Sequence, residues 1–264
     1  MKSLRGEALG VVGGLGPLAS AEFVRTVYRC AAWDREQEAP RVLMDSNPAF
    51  PDRTSAFLAG EDDAVLPMLV EVLDGLVRLG ATRLLICCMT AHHLLPRLSP
   101  ELRRRIVPVP EVIVGQLRRA TGRYLVLCTS GTRRLSLLER QPGWKEVADR
   151  VVFPDAADQD LVHHELIYRL KRMADPAALA PLVSSLRARY GADGFVVGCS
   201  EIHLLANHLY GGVEHPECID PFLAIASSLA RPESAAPARP PWSAFGVEGI
   251  GGRRESALAA AAAT

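Results

Sequence analysis

Lysine is nearly missing from this chain. Only Lys2, Lys145 and Lys171 stand among its 30 basic residues, and 30 acidic residues cancel those to a net charge of zero. Without surplus positive charge there is no broad electrostatic grip on nucleic acid or on an anionic membrane surface. Cysteine is sparse too: six in 264 residues, with no C-x-x-C and no Cys/His spacing of a structural zinc site. That usage excludes a disulfide scaffold and predicts a reducing, cytoplasmic setting. No apolar run approaches the roughly 18 residues of a membrane-spanning helix. Lys2 and Arg5 ahead of an apolar stretch ending in Ala19-Ser20-Ala21 have the outline of a signal peptide. Glu7 and the glycines and proline within that stretch fit a strand entering a glycine loop better.

What the chain does contain is 48% apolar residues, enough at this length for two small cores. Short aliphatic runs alternate with longer stretches of helical period, the pattern of an α/β fold with parallel strands. Residues 9–12 read as a strand, Gly13-Gly14-Leu15-Gly16-Pro17 as a loop, and 18–31 as a helix with Pro17 at its entry. A strand at 41–44, a helix at 61–79 and a strand at 83–87 follow, with 107–109 as a further candidate strand. The order then restarts: a strand at 124–128, the polar loop Thr129-Ser130-Gly131-Thr132, and a strand at 151–153. A helix over 158–173 places Val162, Leu166, Leu170 and Met173 on one face, and a helix at 177–190 leads to a buried-type strand at 194–197.

The halves end alike. In each, an aliphatic strand runs into a cysteine, a hydroxyl residue lies one or two places on, and a histidine sits four places after the cysteine: Cys88, Thr90 and His92, then Cys199, Ser200 and His203. The cysteines are 111 residues apart, about one small α/β domain. This predicts an internal duplication: two pseudo-symmetric domains, each a small parallel sheet flanked by helices, with a site in the cleft between them. The expected boundaries are 1–112, with 206–230 returning to that domain, 113–205, and a disordered Pro/Ala/Gly-rich tail over 231–264. A cysteine just past a parallel strand lies at the sheet edge where α/β folds bind ligands, and a following helix N-terminus favours its thiolate. Cys30, Cys87, Cys128 and Cys218 lack the matched setting and read as structural.

Cys88-Met89-Thr90-Ala91-His92 and Gly198-Cys199-Ser200-Glu201-Ile202 resemble the two cysteine signatures of the aspartate/glutamate racemase superfamily, and of its aspartate racemase branch in particular. The loop from Gly13 to Ala19, Ser46-Asn47-Pro48, Pro51-Asp52-Arg53-Thr54, Asp158-Gln159, Ile167-Tyr168, Lys171 and Asp220-Pro221 continue the likeness in order over about residues 8–230. The resemblance implies a racemase working on a small-molecule substrate without pyridoxal phosphate, metal or other cofactor. Cys88 and Cys199 would be the acid/base pair on opposite faces of one α-carbon. Thr90 and Ser200 would give polar support, Arg53 and Lys171 would hold the distal carboxylate of an acidic amino acid, and Gly14 and Met89 would line the substrate site. The family often forms homodimers, which this sequence leaves undecided.

Two departures stand out. The first signature usually reads Cys-Asn-Thr, so Met89 replaces an amide donor with a thioether. His203 stands where the second signature usually has proline. Three other readings compete. Gly14-Leu15-Gly16-Pro17-Leu18-Ala19 fits a dinucleotide loop, but of the acidic residues that should follow, Asp34 lies in a polar segment rather than at a strand end and Asp45 comes later than the pattern requires. A decarboxylase, maleate isomerase or hydantoin racemase chemistry could use the same fold, and an inactive homologue could keep it without turnover. From the residues alone, Arg53 also fits a solvated loop charge or a local pair with Asp52, and Lys171 a snorkelling surface lysine.

Overall fold

The computed structural model describes residues 6–30, 35–210 and 217–230. Two small parallel sheets flanked by helices carry the chain. In the first, β1 (Leu9–Gly13) is central, with β2 (Val42–Ser46) on one side and β3 (Arg83–Ile86) on the other. All five residues of β1 are buried, because a strand covered on both faces needs an unbroken apolar run rather than alternation. In the second, β4 (Tyr124–Cys128) lies between β5 (Val151–Val152) and β6 (Gly194–Gly198), and β7 (Glu217–Ile219) extends the far side. The spatial order of second, first and third strand is the same in both. Where the first sheet would have a fourth strand, one parallel bridge joins Leu84 to Ile106, and the chain turns helical at Val109. The strand expected at 107–109 shrinks to that contact.

The helices are α1 (Pro17–Cys30), α2 (Arg53–Leu58), α3 (Leu66–Arg78), α4 (Pro100–Arg105), α5 (Val109–Leu117), α6 (Ser130–Arg134), α7 (Ala156–Asp160), α8 (Tyr168–Lys171), α9 (Pro176–Arg189), α10 (Ser200–Tyr210) and α11 (Pro221–Ala230). Two differ from the sequence expectation. The helix expected over 61–79 starts at Leu66 because Pro67 suits only a first turn; a single 3-10 turn at Asp62–Ala64 precedes it. The helix expected over 158–173 is α7, a wider π-helical stretch at Leu161–Ile167, and α8. Val162, Leu166 and Leu170 are buried on one face as expected, but Met173 lies past the helix end at φ 68° and is 74% exposed.

One apolar core runs from α1 and one face of the first sheet through α5 and α11 into the second sheet, and a smaller one fills the other face of the first sheet under α2 and α3. Strand β3 divides its residues between them. Leu85, Cys87 and Met89 enter the larger core, whereas Leu84, Ile86 and Cys88 face the smaller, so the two-residue period continues past the strand's last ladder bond. In the segment 206–230, β7 pairs with β6 while α11 packs against α1 and α5. The tail expected to be disordered, 231–264, lies outside the described residues, as does Asp34.

Candidate active site

Cys88 lies two residues past β3 and Cys199 one residue past β6, each at the carboxyl end of its sheet's third strand. Both are buried, at 7% and 4% exposure. Their fields overlap: Cys88 acts electrostatically on Cys199, and both act on Lys171. The duplicated strand–cysteine unit therefore brings the two sulfurs to one neighbourhood around that lysine.

Behind Cys199, helix α10 begins at once, and its second residue, Glu201, folds its carboxylate back over the helix start. Oε2 accepts hydrogen bonds from the Cys199 thiol at 2.8 Å and the Ser200 hydroxyl at 3.1 Å. Glu201 is 2% exposed and its Oε1 has no partner. Burial pushes the Cys199 thiol well above its ordinary value, the Glu201 carboxylate adds to that, and Lys171 offsets only part. Cys199 is therefore held as the protonated thiol.

Cys88 is served differently. Behind it comes a 3-10 helix, Thr90–Arg97, and its carbonyl accepts from His92 Nδ1 at 2.9 Å. The other nitrogen of His92 accepts from the N–H of Val109, at the first turn of α5, at 3.3 Å. One nitrogen gives and the other takes, so the imidazole is neutral; burial pushes its pKa down accordingly. His92 pins the backbone at Cys88 and is no proton donor to the sulfur. The Thr90 hydroxyl lies 3.0 Å from those of Thr129 and Thr132, which are themselves 3.2 Å apart. This buried triangle ties the end of β3 to the loop after β4. Met89 is completely buried in the larger core.

Two cations differ in their surroundings. Arg53 opens helix α2, with Asp52 as its N-cap, and is only 8% exposed. Its guanidinium donates to the carbonyls of Leu15 (2.5 Å), Pro51 (2.6 Å) and Phe50 (3.3 Å), and its buried Nε has no partner. Neither a solvated loop charge nor a pair with Asp52 describes it. Asp52 instead faces the other half: it accepts from the Tyr168 hydroxyl at 2.6 Å and lies 3.7 Å from Lys171 Nζ. Burial raises the Asp52 pKa, but the Tyr168 hydroxyl, the Ser55 N–H and Lys171 outweigh that and bring it to about 2. Lys171 sits 4.2 Å from the Tyr168 ring centroid. Burial lowers its pKa, yet the negative groups around it, Glu201 first, leave it raised. It is an anchored ammonium rather than a snorkelling one.

The glycine loop is shaped by contacts within the protein. Gly14 has φ 80°, and a β-carbon there would lie 2.3 Å from the Asn47 backbone; at Gly16 it would lie 2.0 Å from Glu201 Oε1. These contacts account for the pattern that also fits a dinucleotide loop. The remaining candidate, His203, bonds Asp220 through Nδ1 (2.6 Å) and meets Thr26 through Nε2 (2.9 Å), with no bond to Cys199. Among the described residues no three His, Cys, Asp or Glu side chains are grouped to hold a metal ion, and no helix is long and apolar enough to cross a membrane.

Residues 12–229 match the Asp/Glu/hydantoin racemase family. The chain belongs to that family. It is an isomerase of the racemase type. Among solved structures, the fold is that of the Picrophilus torridus aspartate racemase, at 21% identity over 85% of this chain and 93% of that one, with a TM-score of 0.71. A Pyrococcus horikoshii aspartate racemase homologue is 15% identical over 84% and 97% of the two chains, with a TM-score of 0.56. The allantoin racemase of Klebsiella pneumoniae is 17% identical over 90% and 98%, with a TM-score of 0.54.

In this racemase, sequence reasoning missed three side chains beside the cysteines. Thr129 and Thr132 read only as a polar loop, although the duplication puts the end of β4 beside the end of β6, one strand from Cys199. Glu201 sat inside a quoted motif without a role. Its signal was a carboxylate two places after a cysteine at a helix start, where the first turn directs a short acidic side chain back toward the free N–H groups.

Proposed function

We propose that this racemase inverts an acidic amino acid such as aspartate or glutamate by two-base proton transfer between Cys88 and Cys199. The observation that carries the reading is the matched pair of buried cysteines at the ends of β3 and β6, coupled to each other and to one lysine. Inversion needs a base on one face of the α-carbon and an acid on the other. One sulfur takes the α-proton and keeps it as S–H; the other gives its proton to the opposite face and is left as thiolate. The hydrogen bond from Cys199 to Glu201 makes Cys199 the proton donor of the resting enzyme, and the first abstraction falls to Cys88.

The carbanion spreads charge onto the α-carboxylate, and donors fixed before the reaction stabilise it. Thr90, with Thr129 and Thr132, supplies hydroxyls on the Cys88 side, and Ser200 supplies one beside Cys199. Arg53, a buried cation with no carboxylate on it, and Lys171 take the distal carboxylate. Gly14 and Gly16 let the loop lie directly against Asn47 and Glu201. Met89 contributes core packing in place of an amide, so carboxylate binding on the Cys88 side rests on the hydroxyls. No cofactor enters these steps.

The test is deuterium incorporation at the α-carbon in D2O over a panel of L- and D-amino acids. Aspartate or glutamate should exchange and invert from both enantiomers. Exchange confined to apolar amino acids, or release of carbon dioxide from a malonate, would refute the assignment.

A further inference from the structure

We propose that the buried cluster of His203, Asp220 and Thr26 is a positioning device: it ties helix α10 of the second half to helix α1 of the first, and so fixes how the two half-sites face each other. This rests on the two-cysteine reading and adds to it residues that bond neither sulfur. His203, Asp220 and Thr26 are each 1% exposed. His203 Nδ1 donates to Asp220 Oδ2 at 2.6 Å, and its Nε2 lies 2.9 Å from the Thr26 hydroxyl. One imidazole therefore joins three helices: its own α10, α1 through Thr26, and the start of α11 through Asp220. Asp220 is itself held in place. Its Oδ1 accepts from the N–H groups of Phe222 at 2.9 Å and Leu223 at 3.1 Å, and its carbonyl accepts from Gln116 of α5 at 3.2 Å. One turn further along α10, Asn207 donates to Glu22 Oε1 at 2.7 Å and to the Thr26 hydroxyl at 3.0 Å, both on α1.

Cys199 stands four residues before His203, immediately ahead of α10. A helix is stiff over one turn, so a shift at His203 is a shift at Cys199. At its other end α1 leads straight out of the glycine loop, whose Leu15 carbonyl holds Arg53. The cluster thus references the second sulfur to the frame that carries the first half of the site. Apolar contact alone would keep these helices together but would let them slide. Hydrogen bonds of fixed length in a water-free interior permit one arrangement. Among the described residues, Asn207 Oδ1 and Gln116 Oε1 are buried without partners, so the network is not arranged for greatest stability. Apolar groups of the same shape would suit the fold about as well. What the cluster supplies is alignment, and a misplacement of about 1 Å from a change far from the chemistry costs on the order of 100-fold in rate.

The test sets inversion against exchange in D2O. In the wild type, deuterium should enter the α-carbon with inversion, because the opposite thiol stands in line. Inversion kcat should fall about 100-fold in His203→Leu and about tenfold in Thr26→Val, with KM changed by no more than about twofold. In both variants the ratio of exchange with retention to inversion should rise. The carbanion waits for a misplaced acid while the first thiol trades its proton with solvent and returns a deuteron to the same face. Thr26→Ser keeps the hydroxyl and should restore the wild-type ratio. Mere loss of folded protein lowers both rates together, so an unchanged ratio overturns the proposal, as does Thr26→Ser behaving like Thr26→Val. If His203→Leu does not fold, the Thr26 pair decides the matter alone. Cross-linking of Cys88 to Cys199 by dibromoacetone, mapped by tandem mass spectrometry, reads the alignment without substrate. Its yield should fall in Thr26→Val and return in Thr26→Ser, while single alkylation by iodoacetamide stays at the wild-type level. Equal cross-linking in all three proteins overturns the positioning role. If the wild type turns over no acidic amino acid, the proposed function falls, while the cross-linking yields still uphold or overturn the cluster's part.

Discussion

The two halves share a strand order and a cysteine position but differ in what lies behind the sulfur. After Cys88 the chain makes a 3-10 helix, and a neutral histidine clamps the cysteine's own carbonyl. After Cys199 it makes a regular α-helix, and a carboxylate clamps the thiol itself. One half fixes the backbone and the other fixes the proton. The halves therefore share what the fold dictates, namely where a third strand ends, and differ in the residue two places on.

The largest test of this comparison is removal of each sulfur. Cys88→Ala and Cys199→Ala should each lower inversion at least about 10³-fold with the far-ultraviolet circular dichroism unchanged. Inversion by either variant at wild-type rates would break the pairing of the halves. The cations come next. Arg53→Ala should raise KM for an acidic substrate about 100-fold, and Arg53→Lys should not recover it, because an ammonium cannot span three carbonyls. Lys171→Ala should raise KM less, about tenfold, with Asp52 left unpaired beside it. Equal effects would mean that Lys171 holds the distal carboxylate as firmly as Arg53 does, despite its ion pair with Asp52.

Stability separates the halves on a smaller scale. His92→Ala leaves the Cys88 carbonyl and the Val109 N–H without their side-chain partner and should cost about 1–3 kcal/mol in urea unfolding. The smallest effect belongs to the bridge between halves. The Asp52 pKa is depressed from 3.8 to about 2, so its contribution is fully present above about pH 4 and is lost as pH falls through about 2. Asp52→Asn should cost about 1 kcal/mol at pH 7, the value being small because the side chain is a third exposed. The difference from wild type should close below pH 2; a constant difference across pH would place the effect in the helix cap instead.

Much of this was legible before any coordinates. The run Leu9 to Val12 reads as a strand, one residue short of its end at Gly13, and matched cysteines after matched strands point to two like units. What escaped was local. The first-turn preference of Pro67 shortens α3, and the π-helical stretch at Leu161–Ile167 has no composition that marks it. Met89 is expected at the substrate from the signature; the alternation that continues past β3 carries it, with Leu85 and Cys87, into the core instead. Arg53 was expected in a loop, and Asp52 capping α2 puts it at a helix start instead. Glu201 carried a signal in its place at a helix start, but which groups its carboxylate meets, the thiol and the Ser200 hydroxyl, depends on the rotamer that burial imposes.

The carbonyl cradle of Arg53 has one more consequence. Oxygen dipoles hold the guanidinium in place without cancelling its charge, so Arg53 still attracts an anion. Sulfate or chloride should therefore compete with an acidic substrate for Arg53. The choice of buffer anion, and not only the ionic strength, should then set how steeply the rate responds to amino-acid concentration.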